Sequence, residues 1–189
     1  SETNEIVFSN APDYENAADD DTDNIYELSI IVSEDGITAN QNLSIYVTDV
    51  NEFPPIITSN GGESTAEINF DENSTDNVVD ITATDGDLGA AINYTISGTD
   101  AGDFTLLGSE VTFTNIANYE NPNDDDLDNI YQITITASDG ENEDSQELTI
   151  VVADLNEFAP VITSNGGEAS AAISLDENET AVTTVTYTD

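Results

Sequence analysis

The 189-residue chain contains no lysine, arginine or histidine, and its 41 acidic side chains give a formal charge of −41. Without basic side chains, no carboxylate can be neutralised by a side-chain ion pair, and the crowded charges oppose folding. Disorder, a very salty medium or bound cations would each relieve this repulsion. The apolar fraction of 37% and its regular patterning argue against disorder. Bound calcium is the favoured answer because carboxylate-rich sites suit it, and a halophilic setting is compatible with calcium.

The missing residue types also exclude several kinds of chemistry and partner. With no histidine, cysteine or lysine, the chain lacks the usual general base, thiolate and Schiff-base amine, so we expect no enzymatic activity. Two carboxylates can run a glycosidase, but that reaction needs a deep cleft, which small β-sandwiches rarely provide. A wholly acidic surface predicts no nucleic-acid partner and no anionic membrane partner.

The absence of cysteine rules out a disulfide framework, so a secreted domain of this kind needs another stabilising element, such as a metal. No apolar run is long enough for a spanning helix, and we predict no direct membrane insertion. If the protein is secreted, its export signal is expected outside this stretch. The absence of tryptophan also leaves no aromatic platform for carbohydrate.

The chain repeats itself at a spacing of 105 residues. Residues 57–63 return unchanged as residues 162–168 (162 − 57), and Tyr14-Glu15-Asn16 returns as Tyr119-Glu120-Asn121. A repeat of this length is typical of one β-sandwich per unit and is too long for a solenoid turn.

Proline-containing junctions at Pro54-Pro55 and Pro160 place the repeat boundaries. We therefore predict the C-terminal part of one repeat in residues 1–53, a complete repeat in 54–158, and the N-terminal part of a third in 159–189. Two interpretations follow: an excerpt of a longer tandem array, or partial ends that complement each other between neighbouring copies and build a filament. The excerpt is favoured, because the combined ends lack counterparts of residues 86–105.

Alternating apolar and polar residues predict a fold made of strands. The clearest alternation covers residues 129–137, with Tyr131, Ile133, Ile135 and Ala137 on one face. Further strands are predicted at 66–70, 78–84, 92–97, 111–114 and 148–153. About seven short strands per repeat predict an all-β fold of tandem Greek-key β-sandwiches. The predicted core consists of Phe104, Phe113, Tyr119, Ile130, Ile133, Ile135, Leu148, Ile150 and Val152.

Five motifs in a fixed order resemble those of cadherin repeats, in particular the tandem repeats of bacterial surface adhesins. The motifs are Asp71-Glu72-Asn73, Asp85-Gly86-Asp87, Asn118-Tyr119-Glu120, Asp139-Gly140, and the linker Asp154-Leu155-Asn156-Glu157-Phe158. All but the second and fourth recur at the 105-residue spacing within the chain. The linker departs from the family pattern, with Glu where Asp is common and Phe where Asn is common. Asn118 also replaces an expected Asp, which would weaken one ion position.

The resemblance implies calcium ions between consecutive repeats. At the first junction it nominates Asp13, Glu15, Asp49, Asn51, Glu52, Asp85, Asp87, Asn93 (through its carbonyl) and Asp139. At the second junction it nominates Glu72, Glu120, Asp154, Asn156, Glu157 and Asp189. Calcium takes six to eight oxygen ligands, more than one short loop supplies, so loops from two repeats are expected to converge.

A separate acidic loop precedes the long predicted strand. Asp124, Asp126 and Asp128 repeat the pattern of Asp19, Asp21 and Asp23. Alternate acids resemble the start of an EF-hand loop, but the later Gly and Glu are missing. Two interpretations stay open: an additional calcium site within the repeat, or a solvated loop that discourages edge pairing.

These observations predict a calcium-dependent extracellular rod segment with a structural or adhesive role at the cell surface. Its partners would be neighbouring repeats of the same or identical chains, with surface glycans or proteins as further partners. The competing hypotheses are a self-assembling filament or surface-layer subunit, and a carbohydrate-related module.

Overall fold

The computed structural model describes residues 4–189 and consists almost entirely of strands and loops. The first two strands, β1 (Ile25–Glu34) and β2 (Ile37–Tyr46), form an antiparallel hairpin in which Ile25 pairs with Tyr46. Asp35 and Gly36 join them with φ angles of 46° and 85°. Positive φ at both central residues is the conformation that tight hairpin turns require, and an Asp-Gly pair adopts it readily.

Residues 54–153 form a sandwich of short strands. Its strands are β3 (Ile56–Ile57), β4 (Thr65–Asp71), β5 (Val79–Asp80), β6 (Ala83–Thr84), β7 (Asn93–Ser97), β8 (Phe104–Leu107), β9 (Glu110–Phe113), β10 (Ile130–Ser138) and β11 (Glu143–Ala153). One sheet has the order β4-β11-β10-β7, a second has the order β5-β9-β8, and β3 pairs with β6. In the first sheet β4 runs parallel to β11, while β10 is antiparallel to both of its neighbours.

The core lies between these sheets. Tyr131, Ile133, Ile135 and Ala137 of β10 are all at most 2% exposed. They belong to one core cluster with Phe70, Leu148, Ile150 and Val152 of the same sheet and with Phe104 and Val111 of the second sheet. The alternation predicted for residues 129–137 is therefore confirmed, since one face of β10 is in the core.

Two sequence-based expectations about this region need correction. The predicted strand 78–84 is two strands, because Val79 pairs with Val111 of β9 while Thr84 pairs with Ile56 of β3. At the buried Ile81, the chain leaves the β5-β9-β8 sheet and enters the β3–β6 pair. Tyr119, predicted as core, is 39% exposed. Its backbone explains its position, since its amide donates to Glu72 Oε2 at 2.9 Å and its carbonyl accepts from Asn129 Nδ2 at 2.9 Å.

The chain divides into two compact units, Ser1–Ala153 and Asp154–Asp189. The second unit contains the strands β12 (Val161–Ile162) and β13 (Tyr187–Thr188), which pair antiparallel. Within residues 4–189, no helix combines the length and apolar composition needed to cross a membrane.

Candidate metal centre

The first unit brings together acidic side chains that are far apart in the sequence. Glu15 lies in the loop before β1, whereas Asp49 and Glu52 follow β2. Asp87 lies after β6 and is only 7% exposed. One carboxylate oxygen from each of these four residues lies within 4.8 Å of the others. That separation suits oxygens around one calcium ion, since ligands about 2.4 Å from an ion are at most about 4.8 Å apart.

A second group of acids adjoins the first and shares Asp87 with it. Asp85, Asp87 and Asp139 also have carboxylate oxygens within 4.8 Å of one another. Asp85 follows β6 directly, and Asp139 begins the turn between β10 and β11. We call the six residues of both groups the junction cluster: Glu15, Asp49, Glu52, Asp85, Asp87 and Asp139.

Backbone amides fix some of these carboxylates in place. Asp139 Oδ1 accepts from the amides of Glu141 and Asn142, both at 2.7 Å. The hydrogen bond from the Asn142 amide is the largest cause that lowers the pKa of Asp139, and the Glu141 amide adds to it. Asp87 Oδ2 accepts from the Phe53 amide at 3.0 Å, and Asp85 Oδ1 accepts from the Asp87 amide at 2.9 Å.

Four other oxygens of the junction cluster are buried and have no hydrogen-bond partner among the described residues. They are both carboxylate oxygens of Glu15, Oδ2 of Asp85 and Oδ1 of Asp87. Burial raises the pKa of Glu15, and the adjacent carboxylates of Asp49 and Glu52 add to the rise. A buried, unpaired carboxylate is costly, so these oxygens need a positive partner. Because the sequence has no basic side chain, a cation is the partner that would neutralise them.

Asn51 lies beside the junction cluster, and its amide fits the site in two orientations. With its oxygen inward, Oδ1 lies 3.3 Å from Asn142 Nδ2 and offers a neutral ligand to a cation. With its nitrogen inward, it would donate to Asp139 Oδ2 at 3.0 Å and to Asp87 Oδ2 at 3.1 Å. A bound cation favours the first orientation, because only oxygen can coordinate it.

The chemistry of the donor set selects the metal. Every available side-chain donor is oxygen, since the sequence contains no histidine and no cysteine. Zinc and copper sites usually use nitrogen or sulfur ligands, whereas calcium and magnesium take oxygen. Several carboxylates from different loops match the irregular, oxygen-rich coordination of calcium better than the tight octahedron of magnesium. The residues of the junction cluster therefore fit calcium.

Besides Asn51, two further residues predicted for the first junction lie outside the junction cluster, Asp13 and Asn93. Asp13 Oδ1 accepts from the Asn16 amide at 3.0 Å and closes a local turn. Asn93 begins β7, where it pairs with Ser138, and its side-chain amide donates to the Ala91 carbonyl at 3.1 Å. The ligand role of Asn93 was assigned to its carbonyl, so this side-chain contact leaves that prediction untested.

The residues predicted for the second junction belong to both units. In the first unit, Glu72 follows β4, is 1% exposed and accepts from the Tyr119 amide. Glu120, which follows Tyr119 in the sequence, is exposed. Asn118 has a buried side-chain oxygen with no hydrogen-bond partner among the described residues. In the second unit, the predicted ligands are all exposed: Asp154, Asn156, Glu157 and Asp189. This set stays a prediction.

The acidic loops before β1 and β10 are held by the same hydrogen bonds. Asp124 Oδ2 accepts from the Asp128 amide at 2.7 Å, and Oδ1 accepts from the Asn129 amide at 3.3 Å. Asp19 makes the equivalent bonds to Asp23 and Asn24 at 2.8 and 3.3 Å. These contacts give Asp124 and Asp19 a structural role within their loops.

A metal role for these loops stays a prediction as well. One oxygen each of Asp124, Asp126 and Asp128 lies within 4.8 Å of the others. Burial raises the pKa of Asp126, with repulsion from Asp128 as the next cause. Unlike the junction cluster, however, the most buried acid here already has both oxygens bonded to backbone amides.

Sequence reasoning missed one buried acid near this loop. Asp100 is 5% exposed and accepts from the Asp125 amide at 2.9 Å and from the Gln132 amide at 2.7 Å. Its bond to Gln132 joins positions 32 residues apart. No local sequence signal marks such a long-range contact.

Comparison with solved structures identifies the architecture. A protocadherin gammaB4 extracellular domain matches with a TM-score of 0.58 and 22% identity, over 78% of this chain and 23% of that one. Mouse cadherin-23 EC22-24 matches with a TM-score of 0.58 and 20% identity, over 92% of this chain and 56% of that one. The fold is that of cadherin extracellular domains.

The sequence comparison also finds proteins whose name includes cadherin. The human cadherin EGF LAG seven-pass G-type receptor 2 is 30% identical over 150 residues, and its mouse counterpart is 29% identical. The match covers 79% of this chain but only 5% of either receptor. No family model matches the chain.

Proposed function

We propose that this chain is a segment of an extracellular rod in which calcium joins consecutive cadherin-like repeats. The observation that carries the proposal is the set of buried oxygens without partners on Glu15, Asp85 and Asp87. Glu15, Asp49 and Glu52 come from the predicted repeat 1–53, whereas Asp85, Asp87 and Asp139 come from the predicted repeat 54–158. A cation among them would attract both sides and stiffen the joint between them.

Removing the cation would have the opposite effect. The six carboxylates of the junction cluster would repel one another, and the repulsion would push the two repeats apart. An extracellular site with free calcium at about ten times its dissociation constant is stabilised by about 1.4 kcal/mol. Two ion positions sharing one joint would multiply this effect.

The wider setting belongs to the same proposal. The cadherin-like fold favours an extracellular, adhesive role at a cell surface, with neighbouring repeats as the principal partners and surface glycans or proteins as further ones. The acidic composition and the close sequence identity between repeats resemble those of tandem bacterial adhesins. By the 105-residue spacing, the next joint would use Glu120, Asp154 and Glu157 as the equivalents of Glu15, Asp49 and Glu52.

The first experiment measures calcium binding by calorimetry on chelator-treated protein. Wild-type protein is expected to bind calcium, and Asp87→Asn is expected to weaken the affinity by about tenfold or more, since Asp87 serves both groups. Asp76→Asn is the matched control, because Asp76 is exposed and lies outside the junction cluster. Equal affinity in both variants would contradict the assignment of the site.

The second experiment measures stiffness by small-angle scattering, with circular dichroism as a check on folding. Calcium is expected to produce a longer and less variable particle than chelator does, at unchanged strand content. If the particle is equally rigid in chelator, the acids are only a salt-adapted surface and the calcium joint is wrong.

A further inference from the structure

The side chain of Phe53, in the linker after β2, packs against the backbone of Gly86 in the loop after β6. Phe53 is 43% exposed, so part of it faces solvent while part lies on the loop. A Cβ atom added to Gly86 would lie 2.8 Å from Phe53 Cγ and 3.0 Å from its Cβ and Cδ2. Carbon atoms in contact are normally about 3.5–4.0 Å apart, so only glycine admits the ring at this position.

The contact with Phe53, and not the backbone conformation, requires glycine at position 86. The φ angle of Gly86 lies outside the left-handed region, so alanine could adopt the same backbone angles. Gly102 shares this property, but a Cβ atom added there would meet nothing within 4 Å. The two glycines therefore form a matched pair, one covered by an aromatic ring and one open.

The backbone of Phe53 holds the same loop through a hydrogen bond. Its amide donates to Asp87 Oδ2 at 3.0 Å, and the Asp87 amide donates to Asp85 Oδ1 at 2.9 Å. One oxygen of each carboxylate is fixed in this way. The other oxygens, Asp85 Oδ2 and Asp87 Oδ1, are buried and have no hydrogen-bond partner among the described residues. The position of Phe53 therefore determines where these two free oxygens lie.

The Phe53–Gly86 contact is an attraction that needs no cation. Glu52 immediately precedes Phe53, and Asp85 and Asp87 flank Gly86, so the contact lies among acids of the junction cluster. Without a cation these carboxylates repel one another. The packing of an aromatic ring on the backbone is apolar, so removal of the metal does not abolish it.

We propose that Phe53 is a positioning residue of the junction cluster and that Gly86 is glycine because the ring lies on it. The contact holds Asp85 and Asp87 against the linker before calcium binds, so less order has to be created on binding and the affinity is higher. Phe53 stands where cadherin repeats commonly have Asn, so the contact belongs to this chain's own sequence. The inference rests on the proposed calcium joint and adds a part of it that works without the metal.

A double-mutant cycle on the full-length chain tests the pair. Calorimetry measures the calcium affinity of chelator-treated Gly86→Ala, Phe53→Ala and the double variant. Each single variant is expected to bind calcium at least about tenfold more weakly, the usual effect of losing a residue that orients metal ligands. Once the ring is gone, the substitution at Gly86 displaces nothing, so the double variant is expected to match Phe53→Ala. Losses that add would overturn the proposal.

Two control variants isolate the ring. Gly102→Ala makes the same change where the space is open, and Phe53→Tyr keeps an aromatic ring at the linker position. Both are expected to bind calcium with wild-type affinity. Each variant at position 53 keeps its backbone amide, so a difference between Phe53→Ala and Phe53→Tyr reports the ring and not the hydrogen bond to Asp87. An equal loss in these two variants would overturn the role of the ring.

Amide hydrogen exchange in chelator tests the contact without metal. The Phe53 amide is bonded to Asp87, so its exchange with solvent reports whether the linker stays on the loop. Gly86→Ala is expected to speed this exchange at least about tenfold, because the displaced ring no longer holds the linker. Gly102→Ala is expected to leave the rate unchanged. An equal rate in wild type and Gly86→Ala would overturn the proposal.

The two measurements distinguish failure of this inference from failure of the calcium joint. If wild type binds calcium and Gly86→Ala and Phe53→Ala bind it equally well, the inference is overturned and the calcium joint stands. If wild type binds no calcium, the calcium joint is wrong, and positioning of calcium ligands by Phe53 is overturned with it. Faster exchange in Gly86→Ala would then show only that the contact holds the loop. Circular dichroism of each variant confirms that the strand content is unchanged.

Discussion

At the scale of single residues, the buried carboxylates of this protein are of two kinds. Asp100 and Asp124 have both oxygens bonded to backbone amides, so each is satisfied by the fold itself. Asp85 and Asp87 each keep a buried oxygen without a partner. We expect the first kind to stabilise loops in any solution, and the second to be stabilised only when a cation is present.

This distinction predicts that substitutions at the two kinds of carboxylate depend differently on calcium. Asp100→Ala removes the acceptor for the Asp125 and Gln132 amides, and we expect it to lower the free energy of unfolding by about 1–3 kcal/mol with or without calcium. Asp87→Ala is expected to destabilise the protein in calcium and to have a smaller effect in chelator, where it removes a repelling charge. Chemical denaturation in both conditions provides the measurement. A loss for Asp100→Ala that appears only in calcium would contradict its structural role.

Gly98 is a second residue whose type is dictated by its position. Its φ is +115°, and an added Cβ would lie 2.8 Å from the Gln132 carbonyl oxygen and 2.9 Å from Ile133 Cα. Gly98→Ala would therefore push β10 away from the end of β7, at a cost of about 3 kcal/mol or more. Gly108→Ala is the control, because Gly108 also has positive φ but open space around it. We expect it to cost only about 1–2 kcal/mol in thermal or chemical unfolding.

At the scale of strands and sheets, the sequence was informative wherever apolar and polar residues alternate. The strands β4, β7, β9 and β10 were predicted to within one residue at either end, because each has one face in the core, whereas the prediction 148–153 covers only the second half of β11. Residues 78–84 could not be divided correctly, since the buried Ile81 fits either a continuous strand or a crossing between sheets. β8 was missed, although its first residue Phe104 was predicted as core.

The same substitution is expected to have different costs at equivalent positions of β10 and β1. Ile135→Ala in β10 empties a fully buried position, and we expect a loss of about 2–5 kcal/mol. Ile30→Ala makes the same change at the equivalent position of β1, which is half-buried in the single chain. Its cost is expected to be below about 1 kcal/mol in the monomer. Denaturant unfolding of both variants measures this difference. Equal losses would contradict the difference in burial between the two positions.

The candidate site was partly predictable from sequence for a similar reason. Glu15, Asp49, Asn51, Glu52, Asp85, Asp87 and Asp139 were nominated from their motifs, and the fold places them close together. Asp13 was nominated on the same grounds; its Oδ1 accepts from the Asn16 amide, and its role as a ligand stays a prediction. The motif gives the residue type and the loop, whereas the rotation of one side chain depends on contacts that no motif records.

At the scale of the whole molecule, every interaction between charged side chains is repulsive. Added monovalent salt can therefore only weaken repulsion, because the sequence has no side-chain ion pair to lose. In chelator, we expect the melting temperature to rise steadily between about 0.01 M and 1 M sodium chloride, as the screening length shrinks from about 30 Å to about 3 Å. Circular dichroism melts measure this. A melting temperature that falls with salt would contradict the dominance of repulsion, and saturating calcium is expected to flatten the dependence.

Asp87 belongs to both groups of the junction cluster, and this sharing has a consequence for how the joint would respond to its surroundings. Two ions that share one carboxylate are not independent, since occupation of either position changes the free energy of filling the other. The first ion would draw Asp85, Asp87 and Glu15 into place and prepare the ligands for the second. The joint would then switch between loose and stiff over a narrow range of calcium concentration. A rod built from such repeats would therefore respond when the calcium concentration outside the cell crosses a threshold.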